Sequence, residues 1–316
     1  MQNMPGSKIH DIFYKQLKGK LSPEITSALP DYDYYSIFAQ GHDLLIFNDY
    51  WKLWKLNQHI RESLLLQEDH FQEFIYQYLI QAKRNGHLNQ EQTFLFIGPG
   101  YIAHHILDSY LHPLIIFYAG DHIRDASNET WKHGMIETLL DVYFTQYFEH
   151  RQCADYKVYE DFPRTDLLLD PALITVLDDT LFKVYGIQSG GSKFKKGIRQ
   201  TRHFIHLCKY DPHGYKKIFF AFFDHISKGS AALSYSVDPN DAVPYMNLQH
   251  HMWTNPKNKE IGSTQSMLEL YDLAMEESAS ICNSLYQLII RGDFTRDEVY
   301  AIIPDRSSSY GLPCSQ

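Results

Sequence analysis

Two histidines and an aspartate recur at four-residue intervals in the first half of the chain. His104, Asp108 and His112 stand at i, i+4 and i+8. Four residues of α-helix rotate by only about 40° and rise by about 6 Å, so these side chains share one helix face. The two histidines would lie about 12 Å apart along the axis, too far to share one ion with bonds of about 2 Å. The spacing therefore predicts two metal ions bridged by Asp108, because ions in two-metal hydrolytic sites lie about 3.5–4 Å apart.

A second pair of ligand types follows in the next predicted helix. His133 and Glu137 stand at i and i+4 and could complete the site of the second ion. The alternative is an ordinary pair of helices with solvated or internally paired histidines. Imidazole and carboxylate ligands without thiolate favour a catalytic site with open positions over a closed structural zinc site. The same ligands suit iron or manganese as well as zinc.

Two residues nearer the start of the chain are further candidates. His10 lies in the first turns of a predicted amphipathic helix, where a solvated or hydrogen-bonded histidine is the commoner case. Asp43 follows the turn residue Gly41 and precedes an apolar run. Its carboxylate could project from a helix start into the core, or it could simply cap that helix.

The elements that must position these residues are helices. Apolar periodicity and helix-stop signals predict helices at about 58–84, 90–111, 128–148, 170–185, 211–223 and 263–290. The second of them is disturbed at Gly98-Pro99-Gly100 and ends near Pro113. No strand-like alternation persists over several segments, so the class is all-α. We expect one domain over about 5–300, with a metal-binding half at about 5–150 packed on a helical half at about 151–300, and a tail at 301–316.

Length and composition bound the function. The chain has 316 residues and a formal net charge of −9, which argues against stable nucleic-acid binding because that requires a basic field. There is no apolar run of membrane-spanning length and no signal-peptide pattern at the N-terminus, so we expect a cytoplasmic protein without a transmembrane segment. The four cysteines form no C-x-x-C pair and are expected to be reduced.

The second half carries fewer signals. Adjacent His250 and His251 point to different faces of any regular element, so at most one of them would reach a given site. Trp253 could wall a pocket or belong to the core. The basic stretch 193–202 could bind a phosphate-bearing substrate, although a solvated helix face is the simpler interpretation. His122, in a predicted loop, is a weaker ligand candidate than His112 or His133.

Taken together and in order, these motifs resemble the bacterial zinc-dependent phospholipase C family, and in particular its intracellular, largely uncharacterised branch. The resemblance covers roughly the first half of the chain, with a weaker likeness at 250–256. It rests on Ala39-Gln40-Gly41-His42-Asp43, His59, the stretch 100–113 and Lys132-His133-Gly134-Met135-Ile136-Glu137. The resemblance implies a multi-helix bundle with a cluster of two to three zinc ions.

Carried over by position, the resemblance implies which residues hold each ion. Asp43, His59, His104 and Asp108 would hold one zinc, and His112, His133 and Glu137 a second. Asp108 would also reach toward a third zinc, which secreted members hold with an early histidine, here His10, and the main-chain amino terminus. This chain departs from that pattern, because nine residues precede His10 and none is a tryptophan.

We therefore expect a phosphodiesterase of the phospholipase C type. Its metal-bound hydroxide would attack a phosphoric ester, with Asp43 as the general base. The substrate would be phospholipid-like or a small phosphoester, such as a lysophospholipid or a nucleotide. The alternatives are a non-catalytic metal-binding or scaffold protein, stabilised by its ions, and a nuclease or nucleotide phosphoesterase with the same kind of site. The sequence names no partner protein.

Overall fold

The described chain is mostly helical, with a single two-stranded hairpin, which confirms the all-α prediction. The computed structural model describes residues 6–29, 31–49, 53–120, 130–152, 155, 165–167, 169–208 and 238–314. The α-helices are α1 (Ser7–Leu17), α2 (Pro23–Ala28), α3 (Leu53–Glu68), α4 (Phe71–Arg84), α5 (Glu91–Leu95), α6 (Ala103–Ala119), α7 (Thr130–Glu149), α8 (Pro171–Tyr185), α9 (Gly190–Cys208), α10 (Met267–Arg291) and α11 (Arg296–Ile302). Short 3₁₀ helices lie at Lys18–Lys20, Tyr32–Leu45, Thr165–Leu167 and Pro239–Tyr245. The helix predicted at 211–223 lies outside the described residues.

Helix α6 occupies the centre of the fold and carries the His104, Asp108 and His112 series. Its sequence is apolar on nearly every side, as expected for a helix surrounded by protein. It packs against α10, α7 and the 3₁₀ segment Tyr32–Leu45. The bundle therefore holds the candidate ligands of α6 away from bulk water.

The predicted end of this helix near Pro113 is wrong, because α6 runs on to Ala119. Pro113 lacks the N–H that would bond to the Ser109 carbonyl, so this buried helix continues with one intrahelical hydrogen bond fewer. The disturbance predicted at Gly98-Pro99-Gly100 is present. It takes the form of a π-helical turn, Phe96–Ile102, between α5 and α6.

The single helix predicted at 58–84 is instead two helices, α3 and α4. The chain breaks between them at His70, whose φ is 59°. The Asp69 carbonyl at this break accepts a hydrogen bond from the Tyr185 hydroxyl of α8 at 2.8 Å. A long-range partner thus replaces the intrahelical bond that periodicity would predict.

Local capping explains two of the helix starts in the second half. Asp170 accepts a hydrogen bond from the Ala172 N–H and precedes Pro171 at the first position of α8, as predicted. Ser266 and Glu269 form a reciprocal capping box at the start of α10. The predicted start at 263 is too early, because Ser263 pairs with Trp253 in the two-stranded antiparallel hairpin β1 (Trp253–Thr254) and β2 (Gly262–Ser263).

None of the helices in the described part of the chain is both long enough and apolar enough to cross a membrane.

Candidate metal centre

The structure brings seven of the eight predicted ligands into one buried cluster. They come from four elements: His10 from α1, Asp43 from the 3₁₀ segment Tyr32–Leu45, His104, Asp108 and His112 from α6, and His133 and Glu137 from α7. The eighth, His59, belongs to α3, but its side chain lies outside the described part of the structure, as does His122. Three ligand groups result, each with donor atoms within 4.8 Å of one another: His10, His104 and Asp108; His42, Asp43 and His104; His112, His133 and Glu137.

Asp108 lies between these groups and divides its two oxygens between them. Its Oδ2 lies 3.2 Å from His104 Nε2. Its Oδ1 lies 3.2 Å from His10 Nε2 and 3.7 Å from His112 Nε2. Burial alone would raise the pKa of Asp108, but the three imidazoles hold it well below its usual range. This is the arrangement of a carboxylate that can bridge ions on its two sides.

His104 is oriented for ligation by a backbone hydrogen bond. Its Nδ1 lies 2.8 Å from the Ala39 carbonyl, so Nδ1 carries the proton and donates it. Burial lowers the pKa of His104 to about 3, so the ring is neutral and its Nε2 lone pair faces Asp108 and Asp43. Among the described residues, no hydrogen bond satisfies this buried Nε2 atom. A lone pair aimed at two carboxylates is an arrangement that a bound cation would satisfy.

His42 belongs to the cluster although the sequence analysis did not count it as a ligand. Its Nδ1 lies 3.0 Å from Asp43 Oδ1 and 3.3 Å from Ser63 Oγ. Burial lowers the pKa of His42 to about 4, so this ring too is neutral. Burial also raises the pKa of Asp43 to about 7. The sequence signal for His42 is its place beside Asp43 in the Ala39–Asp43 motif, but adjacency alone does not predict a shared site.

The third group lies between α6 and α7. Glu137 Oε1 accepts a hydrogen bond from His133 Nε2 at 2.9 Å and lies 3.3 Å from His112 Nε2. Burial by itself would lower the pKa of His112, but Asp108 and Glu137 raise it to about 9. His112 donates from Nδ1 to the Ser308 carbonyl at 3.2 Å. In the metal-free protein both nitrogens of His112 are therefore protonated. The ring then supplies the positive charge of this group.

The first helix is fixed in place by a residue outside the cluster. The buried Asp141 carboxylate on α7 accepts hydrogen bonds from the backbone N–H groups of Gly6, Lys8 and Ile9 at 2.9–3.1 Å. These are the orphan donors at the start of α1, so Asp141 caps that helix from a distance. The cap fixes the position from which His10 reaches Asp108.

The donor set fits divalent cations. Asp43, Asp108 and Glu137 place three carboxylates in one buried region, and uncompensated buried charge is costly. The neutral rings of His42 and His104 supply imidazole nitrogens, which suit zinc, while the carboxylates also suit manganese and iron. The backbone bonds of His104 and His112 are those of histidines that ligate metals, whose second nitrogen binds a carbonyl or carboxylate.

A small cavity adjoins the cluster between α1, α6 and α7. His10, Asp108, His112 and Glu137 form its polar wall. The remaining wall is mostly aliphatic and comprises Ile9, Leu107, Leu111, Ile115 and Leu140. The cavity has room for a water-sized ligand next to the oxygen and nitrogen atoms of the cluster.

The histidines singled out in the second half lie elsewhere. His250 and His251 are both exposed. His250 lies beside the first turn of α10, with its Nδ1 3.3 Å from the Glu269 carboxylate. Trp253 is buried and donates from Nε1 to the Gln265 carbonyl, so it is a core residue. In the basic stretch of α9, Lys193 pairs with Glu62 and Lys196 with Asp49, each at 2.6 Å.

Comparison of the chain with protein-family models, with curated proteins and with solved structures found no match.

Proposed function

We propose that this protein is a metal-dependent hydrolase of phosphoric esters, of the zinc-dependent phospholipase C type. The single observation that supports this most strongly is the position of Asp108. Its two oxygens face His104 on one side and His10 and His112 on the other. A carboxylate bridging two or three ions is typical of sites that hydrolyse phosphoric esters.

The chain offers ligands for each ion in the proposed centre. Asp43, His104 and Asp108 would hold the first zinc, to which the resemblance adds His59. His112, His133 and Glu137 would hold the second. His10 and Asp108 are available to a third, so the early histidine has its expected carboxylate partner even though nine residues precede it.

Bound zinc would supply Lewis acidity toward the phosphoryl oxygens and lower the pKa of a water ligand. The protein's own residues do the rest. His10, Asp108, His112 and Glu137 line the cavity, so a water molecule in it would lie against the charged cluster. Asp43 is the candidate general base, because its carboxylate is partly exposed and burial raises its pKa to about 7.

The cavity favours catalysis over a purely structural metal cage. A saturated structural site is closed to small molecules, whereas here four of the candidate ligands form a cavity wall. The resemblance supports a small phosphodiester or a lipid-like phosphoester as the substrate.

The test combines metal analysis with hydrolysis. Elemental analysis of natively purified protein should find about two to three zinc ions per chain. The zinc-loaded protein should hydrolyse bis(4-nitrophenyl) phosphate or a member of a panel of phospholipids, lysophospholipids and nucleotides. Asp108→Ala should lose metal and activity together, because it removes the bridging carboxylate.

His250→Ala is the matched control, since it removes an exposed histidine whose Nδ1 lies near Glu269 and the Thr264 carbonyl, away from the cluster. It should keep both metal and activity. Full metal content in Asp108→Ala would contradict the proposed metal centre with Asp108 as its bridging ligand. Metal-loaded wild-type protein that hydrolyses nothing in the panel would overturn the hydrolase and leave a structural metal site.

A further inference from the structure

Helix α6 has a second functional face beside the one that carries Asp108. His105, Ser109 and His112 stand at i, i+4 and i+7, which places them on one side of the helix. Residues 306–311, here called the C-terminal strap, lie along this side. They belong to the predicted tail at 301–316, yet Ser307, Ser308 and Ser309 are each at most 3 % exposed.

Three side chains of α6 bind the strap directly. His105 donates from Nε2 to the Arg306 carbonyl at 2.7 Å, and His112 donates from Nδ1 to the Ser308 carbonyl at 3.2 Å. Ser109 Oγ accepts from Arg306 Nε at 2.9 Å. Burial lowers the pKa of His105 to about 3, so this ring is neutral and its Nε2 proton is committed to the strap. The strap thus follows two turns of α6.

Other elements hold the strap from its far side. Ser307 donates from Oγ to Glu68 at 2.9 Å, and the Ser308 N–H donates to the Gln67 carbonyl at 3.2 Å, both at the end of α3. Arg306 also pairs with Glu277 of α10 at 2.6 Å. The strap is therefore bonded to α3, α6 and α10. These bonds fix the Arg306 and Ser308 carbonyls relative to His105 and His112.

His112 is the residue that both faces of α6 share. Its Nδ1 binds the strap, while its Nε2 points to Glu137 at 3.3 Å and to Asp108 at 3.7 Å. A hydrogen bond to one imidazole nitrogen fixes the ring orientation and the tautomer, and leaves the other nitrogen as the ligand.

We propose that the C-terminal strap is the outer part of the metal centre, positioning His112 through the Ser308 carbonyl and thereby setting the affinity for one ion. This inference rests on the proposed metal centre and adds to it a segment about 200 residues away in sequence. Ser308 acts through His112 and is a positioning residue. A role in packing alone would leave metal affinity unchanged.

The chain offers a matched pair of glycines for the test. Gly311 has a φ of +63°, and a Cβ there would lie 2.4 Å from the Ser109 carbonyl oxygen. Gly186, at the end of α8, has a φ of +68° and no atom within 4 Å of an added Cβ. Alanine at either position carries the same left-handed backbone strain. Only Gly311→Ala also pushes the strap away from α6.

The experiment titrates zinc into metal-free full-length protein against a chromophoric chelator. We expect Gly311→Ala to bind one zinc ion about 10–100-fold more weakly than wild type, the effect typical of losing an outer hydrogen bond. Gly186→Ala should match wild type. Arg306→Gln removes the bonds to Ser109 and Glu277 and should also weaken the binding of that ion. This variant is the second test if circular dichroism shows that Gly311→Ala does not fold.

The outcomes separate this inference from the proposed function. Unchanged zinc affinity in folded Gly311→Ala or in Arg306→Gln overturns the role of the strap. Zinc binding without phosphoester hydrolysis overturns the hydrolase and leaves the strap inference standing. A wild-type protein that binds no divalent cation overturns both.

Discussion

Gly41 lies directly against the His104 imidazole. A Cβ at position 41 would be 2.3 Å from His104 Cδ2 and 3.0 Å from Nε2. The backbone of Gly41 has a φ of +49°, which side-chain-bearing residues rarely adopt. Ala39, two residues earlier, supplies the carbonyl that holds His104 Nδ1. The segment from Ala39 to Asp43 therefore packs around the His104 ring. The Ala39 carbonyl accepts a hydrogen bond from Nδ1, and the Gly41 backbone packs against Cδ2 and Nε2.

Gly41→Ala should displace His104 and weaken metal binding by about 10–100-fold, because the new methyl group occupies the space of the ring. Hydrolytic activity should fall with the bound metal. Elemental analysis and a zinc titration measure the loss. Gly186→Ala is again the control, since it has a positive φ without a neighbouring ring. Equal metal affinity in Gly41→Ala and wild type would show that metal binding does not depend on the position of the His104 ring.

Asp141→Ala should destabilise the fold by about 2–4 kcal/mol, because it leaves the backbone N–H groups of Gly6, Lys8 and Ile9 without their buried acceptor. Chemical unfolding of the metal-free protein measures this loss. Asp170→Ala removes a conventional cap with one bond, to the Ala172 N–H, and should cost about 1 kcal/mol. A loss at Asp141 no larger than at Asp170 would contradict its role as the anchor of α1.

The metal-free protein should lose stability as the pH rises from 7 to 9. The pKa of His112 in the folded protein is about 9, above its ordinary value of 6.5. The folded state therefore holds a proton that the unfolded state releases, and its contribution is complete below pH 6.5 and lost as the pH rises through 9. This contribution is on the order of 3 kcal/mol. Thermal unfolding in a chelating buffer across this range measures it.

Two controls accompany the pH series. His112→Gln should flatten the slope between pH 7 and 9, since it removes the titrating group. Zinc should have a similar effect in wild-type protein, because a metal ion replaces the proton as the positive charge between Asp108 and Glu137. A metal-free wild-type protein with constant stability over this range would contradict the charge assigned to His112.

The sequence predicted the parts of this site that depend on local geometry. The four-residue spacing of His104, Asp108 and His112 places them on one face of a helix in any fold, and the structure has them there. The same rule places His133 beside Glu137. The helical class followed from periodicity, which local backbone geometry also determines.

The remaining features depend on contacts between residues far apart in the chain. The break at His70 uses the Tyr185 hydroxyl as a partner for the Asp69 carbonyl, more than 100 residues away. His42 enters the cluster because the Tyr32–Leu45 segment packs on the π-helical turn before α6. The polar sequence of the buried Ser307–Ser309 stretch predicts an exposed tail, because no neighbouring residue in the sequence indicates that α3, α6 and α10 enclose it. Pattern rules have no access to such partners.

The strap also bears on how the protein is made. The carbonyl that holds His112 comes 196 residues after it in the chain, and the carbonyl that holds His105 comes 201 residues after it. Chains are synthesised from the N-terminus, and contacts of such sequence separation close late because they carry the largest loop entropy. A nascent chain that already contains all eight predicted ligands would still lack the carbonyl that holds His112 Nδ1. Full metal affinity would then arise only when the strap has docked.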